Sequence, residues 1–192
     1  KDRFGAEIRT HYPRELDAEV GVIGQESHLT AEVPRYLLQI IARFARLLRE
    51  SNAVDQRSGV SARFAIAAAE TVAASARHRG AILGEDTPVA RVVDLGTIVD
   101  VLRGKLEFES GEEGREQAVL EHLLRRATAD TAQKALGGID VGPLVSAVAS
   151  AEVTTGQQVP AKDVLAALPD LPVIDAIAER LEAGTEGERA AA

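Results

Sequence analysis

Two arginine-bearing tracts carry the clearest chemical potential in this chain. Lys1-Asp2-Arg3-Phe4-Gly5 precedes an alternating segment, and Arg57-Ser58-Gly59-Val60-Ser61-Ala62-Arg63-Phe64 runs into an alanine-rich stretch with Glu70 seven residues after Arg63. Taken alone, Arg63 reads as an ordinary surface residue at a helix start, and Arg57 as a loop arginine paired with Asp55. Other chemistries find little support. No G-x-x-x-x-G-K-[ST] phosphate loop occurs, and Gly104-Lys105 is a bare dipeptide without the upstream glycine. His11, His28, His78 and His122 are scattered without metal-ligand spacing, and no H-E-x-x-H or G-x-S-x-G is present. The lack of cysteine excludes a disulfide framework, a thiolate zinc site and a cysteine nucleophile. Glu107, Glu109, Glu112, Glu113 and Glu116 lack the spacing of a calcium loop, so no specific metal site is expected. Arg35, Arg43, Arg46 and Arg49 place positive charge on one helix. The chain is acidic and offers no aromatic platform for bases, so a solvated or subunit-facing helix face is expected there rather than nucleic acid. Arg77-His78-Arg79 reads as the positive last part of a helix, favourable to its dipole.

The elements that must position these groups are helical. With 192 residues, 45% hydrophobic and 27% charged, the chain can bury a core and is not a disordered tail. Its 22 basic against 30 acidic side chains leave a net charge of −8, which argues against a broad nucleic-acid or anionic-membrane surface. No apolar run approaches the ~20 residues that cross a bilayer, and no signal peptide is visible, so a cytoplasmic location is expected. Ala6, Ile8 and Thr10 alternate with Glu7, Arg9 and His11, a period of two that suits one short strand needing partners elsewhere.

From Pro13 onward helical spacing takes over. Arg14–Ser27 carries Leu16, Val20 and Ile23 with acidic residues near its start. Thr30 can cap the next helix, Pro34 sits near its first turn, and Leu37, Ile41, Phe44 and Leu48 form its apolar stripe. A polar loop over 51–59 leads to an alanine-rich helix from Val60 or Ser61 to about Ile82. Val89–Leu102 resumes helical spacing. Glu112–Leu136 is another long helix with Leu120, Leu123, Leu124 and Ala127 inward, stopped by Gly137-Gly138. Asp140 caps Val141–Ala151, a short helix starts at Pro160, and Leu171–Leu181 is a further helix, packed on the bundle or forming a satellite. The expected architecture is an all-α helical bundle after one strand-like segment. It divides into 1–13, a body over 14–136, an extension over 137–183 and a flexible tail over 184–192.

The D-R-F-G tract, the alternating strand, then His11-Tyr12-Pro13 and a helix resemble the end of the ATPase core in helix-2-insert AAA+ ATPases. The likeness is to the magnesium chelatase I-subunit-like branch, with MoxR-type ATPases as relatives. Ser58-Gly59-Val60-Ser61-Ala62-Arg63, continuing through Ala65–Ala69 to Ala76-Arg77-His78-Arg79, is similar to that family's sensor-2 helix. Arg91-Val92-Val93-Asp94-Leu95, Gly104–Glu109 and Glu113–Glu116 continue the likeness. It covers roughly residues 1–127 and is weak beyond Gly137.

The resemblance implies a lid-like helical bundle following the last strand of an ATPase core that would lie upstream. Arg3 would match the arginine finger offered to a neighbouring subunit's nucleotide, with Asp2 beside it at the subunit boundary. Arg63 would match the sensor-2 arginine that reaches the terminal phosphate, and Arg57 is a weaker candidate. A guanidinium suits such sites because it is always charged and presents a planar fork of donors to phosphate oxygens. Loss of that phosphate would release the lid, turning hydrolysis into a change of domain angle. ATP and Mg²⁺ would be the cofactors of the whole ATPase, whereas the chain alone, lacking Walker A and Walker B motifs, is not expected to be catalytically competent. Self-association into a ring and a partner with a von Willebrand A-type domain are also implied, with remodelling or metal insertion as the output. Nucleic acid and membrane insertion are not implied. The competing expectation is a stand-alone helical interaction module with no ATP role, in which Arg63 sits in a salt bridge. An independent enzyme built from the histidines and carboxylates ranks last.

Overall fold

The computed structural model describes residues 10–55, 59–150 and 154–192. Asp2, Arg3, Arg57 and nearly all of the strand-like segment over 6–10 lie outside the described residues. The architecture is all-α: among the described residues there are nine α-helices and no sheet.

Helix α1 (Leu16–Glu26) buries Val20 and Ile23 against α2 (Arg35–Glu50). The stripe of Leu37, Ile41, Phe44 and Leu48 is fully buried, so α2 forms the centre of the bundle, in contact with α1, α3 and α5. Its start differs from expectation. Pro34 occupies the N-cap, with its carbonyl accepting from Leu37 N–H at 2.9 Å, and no side chain caps the helix. Pro has no N–H to waste, so its fixed φ suits the boundary.

Helix α3 (Ala62–Leu83) presents Ala65, Ala68, Ala69, Ala73 and Ala76 at buried positions, where small side chains permit close backbone approach. Gly80 shows how tight one contact is. A Cβ there would lie 2.6 Å from Pro88 Cβ, so only glycine fits. Gly84, at φ +71, ends the helix in the left-handed region.

The expected helix over 89–102 is broken in the structure. Val89 pairs with Glu32 as an isolated bridge, Val92–Leu95 forms a 3₁₀ turn, and only α4 (Gly96–Leu102) is α-helical. The physical reason is Asp94. Its carboxylate accepts from Arg91 N–H at 2.8 Å and closes a local turn that competes with a continuous helix. Helix α5 (Glu116–Ala135) buries Leu120, Leu123, Leu124 and Ala127 as expected, and Gly138 follows it at φ +87.

The last third packs onto this body. It comprises α6 (Gly142–Ser150), α7 (Ala161–Ala167), α8 (Pro172–Arg180) and α9 (Glu186–Ala191). Val164, Ile177, Ala178 and Ala191 are buried outside the main core cluster, as a small satellite of apolar contacts. Polar bonds tie it down: Arg91 Nη1 donates to Val159 O at 2.7 Å, Ala161 N–H to Glu85 Oε1 at 2.8 Å, and Tyr36 Oη to Ala191 O. The tail expected over 184–192 instead holds α9. Thr185 and Glu188 form a reciprocal capping box, with Glu188 N–H to Thr185 Oγ1 at 3.2 Å and Thr185 N–H to Glu188 Oε2 at 2.7 Å. None of the described helices is long and apolar enough to cross a membrane.

Candidate functional site at the mouth of α3

Arg63 is the second residue of α3, and it is exposed. Among the described residues no carboxylate pairs with it, although most arginines of the body that face other helices are paired. Its position follows from three local causes. Gly59 turns the chain at φ +67, and Val60 is buried with its carbonyl held by Arg49 Nε at 2.9 Å. Phe64, one residue on, is buried against Phe44 with ring centroids 6.0 Å apart. Anchors on both sides therefore leave Arg63 pointing away from the core.

A second cation joins it. Val54 and Phe108 form an antiparallel bridge, with Asp55 N–H donating to Glu107 O at 2.9 Å and Glu109 N–H to Ala53 O at 3.0 Å. That staple brings the Arg103–Lys105 turn alongside the start of α3. The result is a concavity of about 260 Å³ lined by Gly59, Val60, Ser61, Arg63, Phe64, Lys105 and Leu106. Among the described residues two cations and no carboxylate line it. The first N–H groups of a 22-residue helix open toward the same end, and they carry the positive pole of the helix dipole. Such a setting suits an anion with several oxygens. Lys105 was not foreseen as a site residue. Its only sequence signal is an alternating Leu106–Glu109 run, which supplies the bridge that carries it into place.

The other sequence-marked arginines have different fates. On α2, the helix face expected to be solvated or subunit-facing is partly internal. Arg46 Nε donates to Glu19 Oε2 at 2.8 Å, Arg49 Nη1 lies 2.7 Å from Glu19 Oε1, and Arg43 Nε donates to Thr131 Oγ1 at 3.0 Å. Only Arg35 remains at the surface, paired with Asp17 at 2.7 Å. Glu19 itself is 2% exposed, a buried carboxylate placed between two guanidinium groups.

Arg79, expected as part of the positively charged last part of a helix, is buried. Its guanidinium donates to Glu85 Oε2 at 2.9 Å, Val89 O at 2.7 Å and Asp94 Oδ2 at 3.1 Å. Ser75 Oγ completes the set by donating to Asp94 Oδ1 at 2.8 Å. Arg91 joins through Glu85 at 2.7 Å; burial, and next the charge of Arg79, holds its guanidinium below the usual arginine range. Paired carboxylates and guanidinium groups tie the α3–α4 connection, although Arg79 Nε and Arg91 Nε are buried without a hydrogen-bond partner, and the cluster reads as structural. Glu70 accepts from His28 N–H at 3.0 Å and serves the α1–α2 loop. Among the described residues no group of three or more His, Asp or Glu side chains is placed to hold a metal ion.

No protein-family model matches this sequence, and no curated protein or solved structure matches it either.

Proposed function

We propose that this chain is the nucleotide-sensing lid portion of an AAA+ ATPase subunit of the magnesium-chelatase-like family, coupling ATP binding and hydrolysis to ring assembly and to remodelling or metal insertion. The observation that carries this function is the mouth of α3. Among the described residues Arg63 is exposed and unpaired, beside Lys105, in a concavity that no carboxylate lines. Two exposed cations beside a helix N-terminus fit the terminal phosphate of a nucleotide held by an ATPase core.

ATP with Mg²⁺ supplies a terminal phosphate whose presence or loss changes the negative charge facing this surface. Arg63 presents a fork of donors to it, and Lys105 adds a point charge on a flexible stem. When that charge departs, the attraction holding α3 toward the core falls, and the helical body is free to change its angle. Arg3, in the D-R-F tract, would serve the neighbouring subunit as its arginine finger, with Asp2 orienting it, and Arg57 would be a weaker nucleotide-sensing candidate. A self-associating ring and a partner with a von Willebrand A-type domain complete the proposal.

The test uses the complete ATPase subunit with Arg63→Ala and Arg3→Ala, reading nucleotide affinity, hydrolysis and assembly separately. Loss of a charge-assisted contact made to the transferring phosphate is expected to lower turnover by about 10²-fold or more with assembly retained for Arg63→Ala. The 192-residue chain alone is expected neither to bind ATP tightly nor to hydrolyse it. Unchanged behaviour of both variants in all three assays, or robust hydrolysis by the chain alone, would remove this function and leave an interaction module in its place.

A further inference from the structure

One buried charge cluster lies between the segment leading into α1 and the mouth of α3. Glu19 is 2% exposed, and its two oxygens are divided between two arginines of α2. Arg46 also holds the leading segment: its Nη2 donates to Pro13 O and to Arg14 O, each at 3.0 Å. Arg49 reaches both ways. Its guanidinium carbon lies 4.0 Å from the centre of the Tyr12 ring, while its Nε donates to Val60 O at 2.9 Å. Tyr12 also faces the turn itself, because a Cβ on Gly59 would lie 3.6 Å from its hydroxyl. The residues 12–14 and 59–60 are thus far apart in sequence and share one set of half-buried donors aligned by a buried carboxylate.

A structural need alone explains this poorly. A helix of this body can anchor a loop with a single bond, as Glu70 does for His28. Here one carboxylate aligns two planar cations, and each cation then grips backbone on a different side. Guanidinium groups are rigid forks, so a shift of one gripped segment moves the donors available to the other.

We infer that Glu19, Arg46 and Arg49 form a coupling unit through which the position of residues 12–14 sets the position of Val60, and with it the presentation of Arg63 at the mouth of α3. Arg49 is the positioning residue. It acts on Arg63 through the Val60 carbonyl and touches no ligand. In the proposed ATPase, the segment ahead of Tyr12 carries Arg3, so the unit would join the arginine aimed at a neighbour's nucleotide to the one sensing the subunit's own. That purpose rests on the proposed function. The link itself is measured without nucleotide, so its failure and the failure of the function are separate results.

The experiment uses the 192-residue chain and reads amide hydrogen exchange by NMR, together with the Arg63 Nε–H signal. Tyr12 is 46% exposed, so Tyr12→Leu removes the ring face from Arg49 with little loss of packing. Exchange at Phe64 and Ala65, in the first turn of α3, is expected to rise about two- to five-fold, the range of an exposed cation–ring contact. The Arg63 signal should move, whereas amides in the middle of α5 stay unchanged. Tyr12→Phe keeps the ring and should restore wild-type behaviour at every one of these positions. Glu19→Gln, which removes the charge aligning both arginines, should raise exchange at the same amides by more than about ten-fold. If Glu19→Gln loses its helical circular dichroism, the Tyr12 pair decides. Unaltered exchange and an unmoved Arg63 signal in Tyr12→Leu would overturn the coupling, as would a rise spread evenly over all helices or the same change in Tyr12→Phe.

Discussion

Arg79 and Arg63 stand on the same helix, and opposite consequences follow from their surroundings. Arg79 is buried against Asp94 and Glu85, so its partners cannot be removed without leaving a charge in the interior. Asp94→Ala should therefore cost about 3–5 kcal/mol, seen as a lower midpoint in urea unfolding. Arg63, exposed and unpaired among the described residues, should tolerate alanine within about 0.5 kcal/mol, so any functional effect of that change is not a folding defect. Gly80 makes a third case. Gly→Ala inside a helix normally stabilises by up to about 1 kcal/mol, but a Cβ 2.6 Å from Pro88 Cβ should reverse the sign and cost about 1–3 kcal/mol. Thermal unfolding of Gly80→Ala checks this, and a raised midpoint would show that the Pro88 loop yields.

At the scale of elements, the segments with strong apolar period were legible. Leu37, Ile41, Phe44 and Leu48 announce α2, and Leu120, Leu123, Leu124 and Ala127 announce α5, because burial of one face dictates the spacing. Two departures have polar causes that hydrophobic period does not register. Asp94 closes a turn inside what reads as one helix, and the Thr185-to-Glu188 capping box converts a polar tail into α9. The capping pattern was present in the sequence, but its four-residue span carries little apolar signal until Tyr36 and Val89 give α9 something to rest on. Tyr36→Phe should test that dependence. Loss of the bond to the Ala191 carbonyl is expected to cost about 1 kcal/mol and to raise exchange in α9 before that in α2. Helix α6 has no buried residue, so its amides should exchange faster than those of α2, α3 and α5 in native-state hydrogen exchange. Strong protection there would mean that something covers its apolar side.

Across the whole molecule, charge is arranged against the grain of its total. The chain is acidic, yet the mouth of α3 gathers Arg63, Lys105 and a helix N-terminus with no lining carboxylate among the described residues. Arg63 was legible as a candidate because a recognisable tract surrounds it. Lys105 was not, since its approach depends on the Val54–Phe108 bridge between segments far apart in sequence. The partners of Arg46, Arg49 and Arg79 were hidden for the same reason, because Glu19 and Asp94 arrive from other elements.

The proposed function requires the mouth of α3 to answer to a chain of phosphates, and inorganic tripolyphosphate measures this on the protein itself. Titrated into the isotopically labelled 192-residue chain and followed by NMR, it should bind weakly, in the millimolar range. The signals that move should be those of Ser61, Arg63, Phe64 and Lys105; Arg63→Ala should abolish the change, and added salt should weaken it. Signals that stay fixed there, or that move equally in Arg63→Ala, would contradict the account.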